Sequence, residues 1–148
     1  MKRITFVVLT LGLFCGQAIA GGGLDGFLSN LNVQARVDLP GFSTTVSAQF
    51  GVPVPQVQAI LTRVDTPADA FMVFQLGQMA HQPPEAVLQT YRTHRGKGWG
   101  VIAKELGIKP GSREFHALKN GDLVYGAAPG DAPGKGKGKG KGKGKGQR

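Results

Sequence analysis

Proline and glycine cut the chain at short intervals from Ser43 to Gly121, and the apolar residues between the cuts recur at helical spacing. This pattern confines the chain to short helices. Proline ends a helix by removing an amide and crowding the preceding turn, and glycine supplies the left-handed residue on which a helix stops. Ser43 reads as the cap of a short segment through Phe50, closed by Gly51. Pro55 sits where a first helical turn tolerates proline, ahead of the stripe Val57, Ile60, Leu61 and Val64. Thr66-Pro67-Ala68-Asp69 is a strong start signal, with an N-cap hydroxyl, a first-turn proline and an acid at the positive end of the dipole. Its apolar face is Ala70, Phe71, Phe74 and Met79.

Pro83-Pro84-Glu85 restarts the chain into Val87, Leu88 and Tyr91, and Gly96 stops it after the basic run Arg92 to Arg95. Trp99, Ile102, Ala103 and Leu106 make the next face, ended by Gly107. Pro110-Gly111-Ser112 opens the last helix, where Phe115 and Leu118 point inward and Gly121 closes. The predicted fold is all-α, a compact bundle of short helices joined by tight Gly/Pro turns. The order helix end, turn, proline, helix start recurs at Gly51, His81 and Gly107, at unequal separations. Shared hairpin punctuation and a duplicated unit both produce such a pattern.

Upstream, a Gly21-Gly22-Gly23 lead precedes Leu24, Phe27, Leu28 and Leu31 at helical spacing. Val33, Ala35, Val37 and Leu39 then alternate with polar residues up to Pro40-Gly41, which predicts an extended N-terminal arm or a lone strand ending in a turn.

The two ends carry the compartment and the charge. Lys2 and Arg3, the apolar run Ile4 to Phe14 and Ala18-Ile19-Ala20 have the three zones of a secretory signal cleaved after residue 20. The apolar run is well short of the roughly 20 residues a bilayer span needs, so no transmembrane span is expected in the mature chain. Cys15 follows Phe14 and not the small residue a lipoprotein signal requires, and it leaves with the signal. The mature chain has no other cysteine, so its stability rests on a core in a single domain, placed at residues 21–126.

Losing Lys2 and Arg3 leaves 16 basic residues against 9 acidic ones, a net charge of +7. The same +7 sits in Lys135, Lys137, Lys139, Lys141, Lys143, Lys145 and Arg148, so residues 21–132 balance. Six Lys-Gly pairs without an apolar residue have nothing to bury against the entropy of ordering, and residues 127–148 are expected to be a disordered tail. Its lysines stand about 7 Å apart when extended, close to the Debye length of about 8 Å at physiological salt, so a polyanion meets a nearly continuous line of charge. A spacer tail is the plain alternative. The polyanion is lipopolysaccharide, anionic lipid, wall polymer or extracellular nucleic acid; without an aromatic residue in the run there is no base stacking, and no specific DNA site is expected.

Gly96-Lys97-Gly98-Trp99-Gly100 is not a nucleotide loop, because no strand precedes it and no Gly-Lys-Ser/Thr follows. Two uses remain. The glycines let backbones come close around Trp99, or Arg92, Arg95 and Lys97 flank an anion site at a helix start. The stretch from Gly96 to Ile108 resembles the G-x-G-W-G-x-I-A-x-x-L-G element of small exported bacterial helical proteins of unknown function. That resemblance is close over this stretch, loose from Gly111 to His116, and does not reach the Lys-Gly tail. It implies a helical, exported protein and no activity.

Ala103, Gly107 and Ile108 also mimic a helix-turn-helix, but Pro110-Gly111 lengthens the turn and export removes the chain from chromosomal operators. His81, His94 and His116 have no metal-ligand spacing, no Gly-x-Ser-x-Gly occurs, and no two acids form an obvious facing pair. Neither a metal, a cofactor nor catalysis is expected. The function indicated is an exported, non-enzymatic binding or envelope-interaction protein with peripheral membrane contact among its options. A small helical periplasmic chaperone or stress-type regulator is the alternative; it needs an exposed apolar face, for which Phe71, Met72 and Phe74 are the candidates.

Overall fold

A computed structural model describes residues 22–128, in which seven α-helices follow one another: α1 (Leu24–Val37), α2 (Leu39–Phe50), α3 (Val54–Leu61), α4 (Pro67–Ala80), α5 (Pro84–Thr93), α6 (Trp99–Glu105) and α7 (Arg113–Asn120). No strand occurs among the described residues. The signal-like residues 1–20 and the Lys-Gly pairs fall outside them.

The core is organised around α4. Every residue from Ala70 to Gly77 is buried, and a helix that is apolar on all sides must be covered on all sides. Helices α1, α2, α3 and α5 all pack against it. Phe71 and Met72 are completely buried and Phe74 is 3% exposed, so the exposed apolar face expected of a chaperone is absent at these residues. Their apolar character runs past one stripe because the helix is central.

The start of α4 carries a full capping box. Thr66 Oγ1 accepts from the Asp69 amide at 3.3 Å, and Asp69 Oδ2 accepts from the Thr66 amide at 3.0 Å, with Pro67 in the first turn.

The alternating segment is helical and not extended. Leu31 and Ala35 continue the buried stripe begun by Leu24, Phe27 and Leu28, and Val33 and Val37 point outward at 62% and 85% exposure. Exposed valines on a helix produced a false period of two. Pro40-Gly41 does not end the segment either, since both residues lie in the first turn of α2. Asp38 alone breaks the path, and its Oδ1 accepts from the Gly41 amide at 2.9 Å, so that residue, and not Ser43, caps the helix.

The recurring helix ends share one hydrogen-bond pattern. The amides of Val52, Gln82, Ile108 and Asp122 donate to the carbonyls of Ser47, Gly77, Ala103 and Ala117, at 2.9–3.1 Å. Each bond closes across a left-handed residue at Gly51, His81, Gly107 or Gly121. After the first two stops, the carbonyls of Pro53 and Pro83 receive the opening amides of α3 and α5. The third departs from this, because Ser112 Oγ caps α7 through the Phe115 amide.

His81 is the one non-glycine residue with positive φ among the described residues, at 54°. Left-handed backbone costs an L-residue roughly 1–2 kcal/mol, partly offset by the unfolded-state entropy of glycine, so His81→Gly should stabilise the fold by about 0.5–1 kcal/mol. Urea melts check this; a lower midpoint would mean that the imidazole itself holds the turn.

Both ends of the described chain are tied to the body. Gly23 lies against the α7 stop, where a Cβ on Gly121 would collide with the Gly23 carbonyl. Beyond α7, Leu123 is buried and Tyr125 stacks on Phe42 at 5.6 Å. Gln49 of α2, itself buried, clasps this segment: its Nε2 donates to the Val124 carbonyl and its Oε1 accepts from the Gly126 amide, both at 2.8 Å. The last described segment is therefore held on α2.

Candidate functional site

Arg92, in the last turn of α5, and Arg95 and Lys97, on the turn between α5 and α6, are all exposed. The turn is made by Gly96 and Gly98, with φ of 82° and 88°, and by a bond from the Lys97 amide to the His94 carbonyl at 3.0 Å. A Cβ at Gly96, Gly98 or Gly100 would meet nothing within 4 Å. These glycines are there for backbone conformation at the first two positions, and not for the close approach that the sequence implied.

One of the three cations is already engaged. Arg95 Nε donates to Asp65 Oδ2 at 2.7 Å and Nη2 pairs with Oδ1, a two-pronged bond between side chains that remain more than half exposed. At that exposure the pair adds at most about 1 kcal/mol. Its consequence is local electrostatics. Asp65 cancels Arg95, and Asp69 stands close by with a second carboxylate, so an anion entering here meets no net positive field from these three groups. Arg92 and Lys97 lie on the surface to either side of Arg95 in sequence.

The cleft beneath the turn holds about 260 Å³ and is lined by Asp65, Asp69, Tyr91, Arg95, Trp99 and Ile102, with Gly96 and Gly98 at its edge. Tyr91 and Trp99 stack at 5.2 Å and 19°. The Tyr91 hydroxyl donates to Asp65 Oδ2 at 2.9 Å and lies 3.4 Å from Asp69 Oδ2. Burial first, then the Asp69 charge and the hydrogen bond to it, push the phenol up to about 12. Tyr91 is thus a neutral donor throughout the physiological range. The cleft offers hydrogen bonds and two carboxylates beside an aromatic floor, and it holds no serine or cysteine nucleophile.

Two further concavities exist. One of about 330 Å³ lies between Phe50, Val52, Phe74, Gln78, His81 and Gln82, and His81 is its single titratable side chain. The other, about 260 Å³, is an apolar groove between α2 and α3 lined by Leu39, Pro40, Ser43, Gln58, Leu61 and Thr62. Among the described residues no three His, Cys, Asp or Glu side chains gather as a metal site, and no helix is long and apolar enough to cross a membrane. Gln75 Nε2 is buried without a partner in the middle of α4.

Lys135, Lys137, Lys139, Lys141, Lys143, Lys145 and Arg148, expected to contact a polyanion, lie outside the described residues. Sequence reasoning found the cations of the turn and missed their counterpart. Asp65 directly precedes the Thr66 cap, and Tyr91 and Arg95 are four apart across the end of α5, a spacing visible in the sequence; the identity of their partner 26–30 residues upstream was not. Protein-family models, curated proteins and solved structures, compared with this chain, give no match.

Proposed function

We propose that this chain is an exported, non-enzymatic binding or envelope-interaction protein that holds polyanions through its polycationic C-terminal segment. The observation that carries this reading is the segregation of charge. Seven positive side chains lie between Lys135 and Arg148, and residues 21–132 hold nine of each sign. A line of cations without interspersed acids is what binding by counterion release uses. The secretory pattern of residues 1–20 and the resemblance of Gly96–Ile108 to exported helical proteins favour an envelope or extracellular partner. Lipopolysaccharide, anionic lipid, acidic wall polymer and extracellular nucleic acid share the required chemistry.

Deleting Lys135 to Arg148 from the full chain should leave the melting temperature unchanged, because the described body already packs through Gly126. The same deletion should abolish binding to DNA, lipopolysaccharide and anionic vesicles. For the intact chain, log affinity for a nucleic-acid lattice should fall against log salt with a slope of about −5 to −6 if all seven charges engage. Undiminished polyanion binding after the deletion would transfer the role to the folded body, with Arg92 and Lys97 as the first positions to change.

A further inference from the structure

From Leu39 to Thr62 the chain runs without an acidic, basic or histidine side chain, and this stretch forms α2, α3 and the turn between them. The run contributes no charge of its own to the surface, in a chain with 18 basic and 9 acidic residues elsewhere, and the carboxylate seen against it is Glu85, which accepts from Gln56 Nε2 of α3 at 3.3 Å. Next to the run lie the large apolar side chains the fold leaves in solvent. Among the described residues these are Val33, Val37, Leu39 and Val124.

The first three follow one another where α1 passes into α2. Val33 and Val37 are one turn apart on the same face, and Leu39 opens the apolar groove completed by Pro40 and Leu61. Val124 belongs to the segment clasped by Gln49 of α2, and Phe42, on which Tyr125 stacks, is one turn from Leu39. Leu39 and the Gln49 clasp thus share α2, and Val33 and Val37 lie on the last turns of α1 that lead into it.

We propose that the α1–α2 corner, with its uncharged α2–α3 flank, is a lipid-docking face that seats on an anionic bilayer. The proposal rests on the polyanion reading and names the polyanion. Val33, Val37 and Leu39 enter the boundary between headgroups and acyl chains, and the seven cations between Lys135 and Arg148 contact anionic headgroups. Stable peripheral attachment takes two such signals, an apolar insertion and a polybasic segment, and either alone is marginal. Arg36, beside Val33 and Val37 on α1, has the sign that an anionic surface accepts. Asp38, the acid at this corner, has its Oδ1 bonded to the Gly41 amide.

A second copy of the chain is the poorer occupant. Pairing these faces would bring two segments of +7 to the rim of one interface, at separations where like charges are incompletely screened. A soluble polyanion accounts for the lysines and leaves the exposed valines without a use.

The test compares the full chain with V33S/V37S on three probes: phosphatidylcholine vesicles, vesicles of equal parts phosphatidylcholine and phosphatidylglycerol, and double-stranded DNA. Both valines are exposed and serine has similar helix propensity, so the fold should be unaffected, with the melting temperature as the control. The double variant should lose about tenfold or more in affinity for the anionic vesicles and nothing for DNA. Parental affinity for anionic vesicles would overturn the docking face and leave the cationic segment in place. Equal losses on vesicles and DNA would also overturn it, since the valines would then act through the segment and not through lipid. A concentration-dependent dimer dissolved by V33S/V37S would assign the face to a second copy. Vesicle binding that survives removal of Lys135 to Arg148 would instead defeat the polyanion reading.

Discussion

Replacing Phe71 by alanine should cost about 3–5 kcal/mol, a large fraction of the roughly 5–15 kcal/mol that holds a domain of this size. Phe71 is fully buried on the central helix. Its ring meets Phe27 of α1 at 5.5 Å and 51°, Phe50 of α2 at 5.5 Å and 65°, and Tyr125 of the C-terminal segment at 6.2 Å and 71°. These tilted and edge-on arrangements are the ones aromatic quadrupoles favour, each adding about 0.5–1.5 kcal/mol beyond area burial. Truncation removes the ring against which three separate elements are oriented, and no single neighbour can fill the space. Phe71→Leu keeps most of the volume and should cost no more than about 1–2 kcal/mol. Urea denaturation of both variants measures the difference. A loss under about 1 kcal/mol for Phe71→Ala would mean that the rings repack around α4 and that the core is less specific than its geometry indicates.

Phe71 also shows where the sequence was legible and where it misled. Its helix start was readable because Thr66, Pro67 and Asp69 act locally, within one turn. Glycine stops at Gly51, Gly107 and Gly121 were readable for the same reason, since a left-handed residue is a property of one position. The alternative in which Phe71, Met72 and Phe74 present an exposed face arose because a helix with apolar residues on every side can be taken as one with an exposed surplus. Only the packing around the helix decides between those cases. The error at Val33 and Val37 has the opposite origin: a short alternation overlay a longer helical stripe, and the longer period was the informative one.

Long-range polar pairs were out of reach of either kind of reasoning. Gln49 grips residues 75 and 77 positions later, and nothing in its surroundings distinguishes it from Gln56 or Gln58. Asp65 and Arg95 are 30 residues apart, and each had an adequate local explanation as a loop acid and a helix-end base. The row of lysines is legible by composition alone. The exposure of Val33, Val37, Leu39 and Val124 needed the fold.

Trp99→Ala should be about as damaging as Phe71→Ala, roughly 3–5 kcal/mol, by a different route. Trp99 is 8% exposed and opens α6, a helix of 7 residues that is too short to persist without tertiary contacts. Its stack on Tyr91 ties α6 to α5. Through the Tyr91 hydroxyl it also supports the Asp65 and Asp69 oxygens that prepare the α4 start. Losing the indole opens the Asp65–Trp99 cleft to water and frees the phenol, so α6 and α7 should loosen together. Amide hydrogen exchange should show protection falling first between Trp99 and Asn120. Gly98→Ala separates packing from conformation: its φ of 88° is unfavourable for alanine, although a Cβ there has open space, so about 1–2 kcal/mol is expected from the backbone alone. If both variants melt like the parent, Trp99 is not a structural anchor. Its stack on Tyr91 above two carboxylates would then be a surface kept for a ligand, and cationic aromatic compounds would be the first probes for that cleft.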